Sequence, residues 1–89
     1  MKKYVIERDI PGVDTLNAEQ LKGAAQTSND ALAKLDGVQW VESFVAKDKT
    51  FCIYLAKDEA VIKEHARISG FPATRISEVV TRICPLTAG

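Results

Sequence analysis

Near the middle of the chain, residues 38–56 read VQWVESFVAKDKTFCIYLA. Val38–Ala46 and Thr50–Ala56 are rich in β-branched and aromatic residues, and the short polar segment Lys47–Lys49 separates them. Two such runs with a brief polar connection are typical of an antiparallel β-hairpin. We therefore predict two neighbouring strands here, and the segments on either side complete the fold around them.

Both faces of this hairpin carry apolar side chains. The alternating sets are Trp40, Glu42, Phe44 and Val41, Ser43, Val45 in the first strand, and Phe51, Ile53, Leu55 and Cys52, Tyr54, Ala56 in the second. The pattern leaves the register open, because a three-residue loop pairs Glu42 with Tyr54 whereas a two-residue loop pairs it with Ile53. A slip of one residue exchanges the two faces of the strand.

Two further strands are predicted near the ends of the chain. Lys3–Ile10 alternates and is rich in β-forming residues, and the turn residues Pro11 and Gly12 follow it. Ile76–Cys84 has a similar composition and is followed by Pro85. We expect the chain to begin and end with a strand.

Helix signals occupy the two intervals between these strands and the hairpin. Asn17 followed by Gln20 is typical of a capping box, and Gly37 is expected to end the first helix. Asp58 is expected to cap a second helix that ends at Gly70. The predicted order is therefore β-α-β-β-α-β.

This order predicts a single ferredoxin-like α+β domain over residues 1–89. Right-handed crossovers place the first and third strands in the centre of a four-stranded antiparallel sheet, flanked by the fourth and second. Both helices then cover one face of the sheet. Because the other face also carries apolar residues, we predict a homodimer in which two sheets face each other, a dimeric α+β barrel.

Composition excludes several classes of function. Twelve basic and twelve acidic residues give no net charge, which argues against a nucleic-acid partner. No apolar stretch approaches the roughly 20 residues needed to span a membrane, and no signal peptide is recognisable, so a cytoplasmic protein without a membrane partner is expected. Two cysteines are too few for a disulfide scaffold, and no glycine-rich phosphate loop or nucleophile elbow is present.

The only histidine, His65, is the strongest candidate for chemistry, since imidazole titrates near neutral pH and is a common metal ligand. Glu7, Glu42 and Glu78 interrupt otherwise apolar strands, where unpaired carboxylates are costly to bury. They are ion-pair partners of nearby arginines such as Arg8, groups exposed to solvent at a strand end, or ligands of a metal or small molecule. A site with one histidine and carboxylates would suit nickel or a similar divalent ion better than structural zinc. We therefore predict that the metal ligands are His65, Glu7 and Glu78.

A ligand pocket is the second candidate site. Its predicted lining consists of Trp40, Glu42, Cys52 and Tyr54. The strand spacing of the aromatic side chains favours packing in the core or in a dimer interface over a ligand site, and Cys52 is most simply a small buried hydrophobic residue.

Several segments together resemble a known family. They are Tyr4–Gly12, Trp40–Val45, Cys52–Tyr54, His65–Arg67, Gly70–Ala73 and Ile76–Val79. The sequence resembles a family of short bacterial ferredoxin-like domains of unknown function, some members of which are named nickel-binding proteins. The resemblance implies a dimeric α+β barrel and, for some members, binding of divalent nickel. His65 and Glu7 match recurrent positions of the family pattern.

Two functions of different classes follow. The first is a small cytoplasmic homodimer that binds a divalent metal, nickel, or a small ligand without catalysis. The alternative is a cofactor-free, monooxygenase-like enzyme of the dimeric α+β barrel type acting on a small apolar substrate, with His65 as general acid or base and Trp40 and Tyr54 lining the pocket.

Overall fold

The computed structural model describes residues 1–89 as a four-stranded antiparallel sheet with two helices on one side. The elements are β1 (Lys2–Asp9), α1 (Ala18–Leu32), β2 (Val38–Ala46), β3 (Lys49–Ala56), α2 (Glu59–Ser69) and β4 (Arg75–Glu78), with short 3-10 helices at Val13–Thr15 and Pro85–Ala88. The strand order β2-β3-β1-β4 confirms the predicted ferredoxin-like fold. Neither α-helix has the length and apolarity needed to cross a lipid bilayer.

The helix starts agree with the local sequence signals. The side chains of Asn17 and Gln20 each accept a hydrogen bond, 2.9 Å long, from the other residue's backbone N–H. The Asp58 carboxylate accepts from the N–H of Val61 at 2.9 Å, and Gly70 ends α2 in the left-handed conformation with φ of 81°. These interactions satisfy helix-end groups that have no partner within the helix.

The end of α1 differs from the prediction. The helix ends at Leu32, with Ala33 as its C-cap, and does not continue to Gly37. The next N–H groups bond only three residues back, from Lys34 to Ala31 and from Leu35 to Leu32, which tightens the chain into turns. The half-buried Leu35 after this bend packs against the core cluster.

The hairpin has a two-residue loop, Lys47-Asp48, with Ala46 opposite Lys49 and Glu42 opposite Ile53. Asp48 has φ of 58°, a left-handed conformation that aspartate tolerates better than most residues. Its carboxylate accepts from the N–H of Gly12 at 2.8 Å, and its own N–H donates to the Asp14 carboxylate at 3.0 Å. The loop that leads into α1 is thereby fixed to the hairpin.

A β-bulge at Val41 breaks the alternation of β2. Trp40 is opposite Tyr54 and Glu42 is opposite Ile53, so Val41 has no partner on β3. The prediction that Trp40 and Glu42 share one face is therefore wrong, because the extra residue reverses the orientation between them. Trp40 instead shares a face with Ser43, and its Nε1–H donates to the Ser43 Oγ at 2.9 Å.

The sheet has one face covered by the helices and one open face. The core on the covered face consists of Tyr4, Ile6, Cys52, Tyr54 and Ala56 from the strands with Val61 and Ile62 from α2. The register places the next residues along each strand on the open face: Val5, Glu7, Glu42, Phe44, Phe51, Ile53 and Leu55. The open face is mainly apolar, as the sequence predicted for a face that a second subunit would bury.

β4 is shorter than predicted, since it covers only Arg75–Glu78 and not the stretch to Cys84. Glu78 is opposite Tyr4, and the last ladder contact is from the N–H of Val79 to the Lys3 carbonyl at 2.8 Å. After Val79 the chain leaves the sheet and forms no further strand. Val80 is accordingly 91% exposed.

Candidate functional site

A cavity lies between α1 and the covered face of the sheet, and we call it the α1 cavity. It measures about 130 Å³ and its lining is mainly hydrophobic, including Ile10, Val13, Leu16, Leu21, Trp40 and Val45. The residues of α1 that face it across the middle of the helix are small: Ala24, Ala25 and Ser28. Because the side chains of Ala24 and Ala25 are short, a gap remains where larger residues would complete the core.

Arg8 supplies the one charged side chain in the lining of the α1 cavity. It is 2% exposed, and its Nη1 donates to the carbonyl oxygens of Phe71 and Pro72 at 3.3 and 3.1 Å. The left-handed cap at Gly70 directs the chain so that these carbonyls meet the guanidinium. The Nη2 atom has no hydrogen-bond partner, and no carboxylate forms an ion pair with Arg8.

From the sequence, Arg8 was expected only as a partner for nearby carboxylates, and its place in the site was not predicted. The signal that could have revealed it was its position in β1. Tyr4, Ile6 and Arg8 alternate along the strand and all three are buried, so the charge falls in a set of core positions. A charge in the buried set of a strand needs a partner, and here the chain provides none with opposite charge.

A buried polar chain connects the cavity to His65. The Ser28 Oγ lies 3.5 Å from the Tyr54 hydroxyl and 3.2 Å from the His65 Nε2, and the rings of Tyr54 and His65 have centroids 5.4 Å apart. The Arg8 guanidinium carbon lies 6.0 Å from the centre of the Tyr54 ring. Arg8, Tyr54, Ser28 and His65 therefore form one cluster beneath α1.

Burial determines the protonation of this cluster. Desolvation, assisted by the positive charge of Arg8, lowers the pKa of His65 below its ordinary value, so the imidazole is neutral at pH 7. Desolvation also raises the pKa of Tyr54, which keeps its hydroxyl protonated. His65 is 1% exposed and its Nδ1 has no hydrogen-bond partner. It does not line the α1 cavity, whereas Ser28 and Tyr54 do.

The three predicted metal ligands lie apart. Glu7 is on the open face, 3.5 Å from the Lys49 Nζ and 3.7 Å from the Arg75 Nη1. Glu78 is opposite Tyr4 and so is on the covered side at the sheet edge, where it pairs with Lys2 at 3.7 Å. His65 is enclosed beneath α1. No group of three or more histidine, cysteine, aspartate or glutamate side chains in the protein is arranged to hold a metal ion.

The predicted pocket residues are divided between the two faces of the sheet. Trp40, Cys52 and Tyr54 line the α1 cavity. Glu42 lies on the open face opposite Ile53, because the bulge at Val41 separates its orientation from that of Trp40. The ligand-binding role of these residues stays a prediction.

The fold and the α1 cavity define a small ferredoxin-like α+β protein with a single-layer sheet. A family model described as nickel responsive protein SCO4226-like matches residues 4–79, and the chain belongs to this family. This confirms the resemblance noted from the sequence. The crystal structure of SCO4226 from Streptomyces coelicolor A3(2) is similar, with a TM-score of 0.70 and 24% sequence identity over 91% of this chain and 99% of that chain. That likeness supports the fold. Comparison with curated protein sequences gives no significant match.

Proposed function

We propose that this protein is a cytoplasmic, homodimeric binding protein that holds a small organic molecule in the α1 cavity. The observation that carries the proposal is the cavity itself, about 130 Å³ in volume and lined by apolar side chains around one buried cation. An apolar cavity of about 150 Å³ admits a molecule of the size of benzene. Pockets with apolar walls and a few polar groups that fix orientation are typical ligand sites.

The homodimer is part of this proposal because the open face is apolar. Phe44 is 55% exposed there and lies opposite Phe51, in a sheet that has helices on its other side only. Exposed apolar faces of this kind are commonly buried by a second subunit. The cytoplasmic location is supported by Cys52 and Cys84, which are both free thiols as expected in a reducing compartment.

The enzyme alternative has less support from the site. A general acid or base must reach the proton that it transfers, directly or through one water molecule. His65 is enclosed and does not line the cavity, and burial lowers the pKa of its imidazole. The cavity is therefore better suited to binding than to proton transfer by this residue.

Trp40 provides a direct test of ligand binding, since it is the only tryptophan and lines the cavity. We expect a panel of small aromatic and aliphatic compounds to include members that change its fluorescence in a saturable manner. The matched variant is Ala25→Leu, which places a larger side chain at the cavity wall and retains good helix propensity. This variant should fold and lose the response.

Two results would contradict the proposal. One is a panel in which no compound gives a saturable change with the wild-type protein. The other is an equal response from wild type and Ala25→Leu, which would place the compounds elsewhere.

The side chains around His65 determine whether nickel could bind there. Nickel sites use several nitrogen, oxygen or sulfur ligands, and imidazole and carboxylates are common among them. Around His65 the only polar side chain within hydrogen-bond distance is Ser28, and Glu7 and Glu78 lie elsewhere. The residues of one protomer do not fit a nickel site at His65.

We expect nickel chloride to give the same calorimetric binding isotherm with wild-type protein and with His65→Gln, both prepared without a histidine tag. The reason is that His65 is buried and the protomer supplies no second ligand beside it. Circular dichroism of His65→Gln controls for folding. At least tenfold weaker binding by the folded variant would instead support His65 as a ligand, as the sequence predicted.

A further inference from the structure

We infer that the α1 cavity is an anion site in which the Arg8 guanidinium binds the carboxylate of a small organic acid. This inference rests on the proposed function and names the class of ligand. It begins from the charge of Arg8, since arginine remains protonated in proteins and cannot lose its charge when buried. Burial of an ion without an oppositely charged partner is strongly unfavourable.

No acid of the chain neutralises Arg8. The five ion pairs of the protein use Lys2, Lys49, Lys63, Arg67 and Arg75 as their cations. The lining of the α1 cavity includes no aspartate or glutamate. The carbonyls of Phe71 and Pro72 accept from Nη1 but carry no net charge, and Nη2 is left without an acceptor. The cavity therefore has a single uncompensated positive charge.

The walls of the cavity indicate what kind of chemical group the carboxylate is attached to. Apart from Arg8, polar atoms come mainly from the hydroxyls of Ser28, Ser43, Thr50 and Tyr54, and the other lining residues are largely apolar. Inorganic phosphate would have to exchange its hydration for these apolar surfaces. A carboxylate matches the planar guanidinium in geometry, and an attached ring or short alkyl chain would fill the apolar space. The cavity has room for an apolar part of about the size of a benzene ring.

Benzoate and its neutral isostere benzamide test the inference by titration against the Trp40 fluorescence of the full-length protein. We expect benzoate to bind wild type at least tenfold more tightly than benzamide does. Arg8→Met should weaken benzoate binding at least tenfold. Arg75→Met is the matched control, because Arg75 lies on the open face and pairs with Glu7, and it should bind benzoate as wild type does.

Equal binding of benzoate and benzamide would overturn the anion site, as would unchanged benzoate binding by folded Arg8→Met or no benzoate binding by wild type. Sodium phosphate at the same ionic strength is the competing anion, and displacement of benzoate by equimolar phosphate would also overturn the preference for an organic acid. Should Arg8→Met not fold, the comparison of benzoate with benzamide on wild type decides. If both compounds bind equally and Ala25→Leu abolishes the binding of both, the anion site is refuted while the proposed binding function stands. If the compound panel also gives no response, both fail.

Discussion

Replacing Ile6 with alanine is expected to lower the free energy of unfolding by about 3 kcal/mol, within the range of about 2–5 kcal/mol for such core truncations. Ile6 is 0% exposed and lies on the central strand β1, between Cys52 of β3 and Ile76 of β4. Its loss would leave a cavity in the main core cluster, which has seven buried residues. For a domain whose total stability is about 5–15 kcal/mol, this is a large fraction.

Urea denaturation followed by circular dichroism measures this effect as a lower midpoint with an unchanged slope. Val80→Ala is the control, because Val80 is 91% exposed and should change stability by less than about 0.5 kcal/mol. Equal midpoints for the two variants would show that β1 does not form the centre of the core.

Replacing Phe44 with glutamate is expected to convert the proposed homodimer to a monomer. Phe44 is 55% exposed on the open face, opposite Phe51 and in the same cross-strand row as Glu7. A new carboxylate in this row would have to lose its hydration in the proposed apolar interface. Sedimentation velocity should show wild type at twice the protomer mass of 9.8 kDa and Phe44→Glu at the protomer mass.

Val80→Glu is the matched control, since it introduces the same charge at an exposed valine outside the sheet. It should remain dimeric. A wild-type protein that sediments as a monomer would refute the homodimer, and a Phe44→Glu variant that stays dimeric would place the interface away from the open face.

Much of the fold was predictable because its signals are local. The capping residues Asn17 and Asp58 and the terminal glycine of α2, Gly70, act within three or four residues of themselves. Their positions mark both helix starts and one helix end. The end of α1 and the length of β4 were not predictable in this way. The end of α1 depends on the surface that Leu35 packs against, and the length of β4 depends on its pairing with β1.

The candidate site was predictable only in part. Trp40, Cys52 and Tyr54 were selected as pocket residues and do line one cavity. His65 was selected for its chemistry, and the structure encloses it behind Ser28 and Tyr54. The cavity exists because α1 packs at a distance from the sheet, and this distance is a tertiary property. The small residues that permit the gap are visible in the sequence.

The sequence by itself determined the element order, the helix caps and the family pattern, because each is a property of neighbouring residues. Tertiary structure decided the orientation of side chains, through the two-residue loop at Lys47-Asp48 and the bulge at Val41. It also separated Glu7, Glu78 and His65 and left Arg8 buried without an acid. Strand register and the packing of α1 on the sheet depend on contacts between distant segments, so no single segment specifies them. These two features determine which charged side chain lies next to which partner.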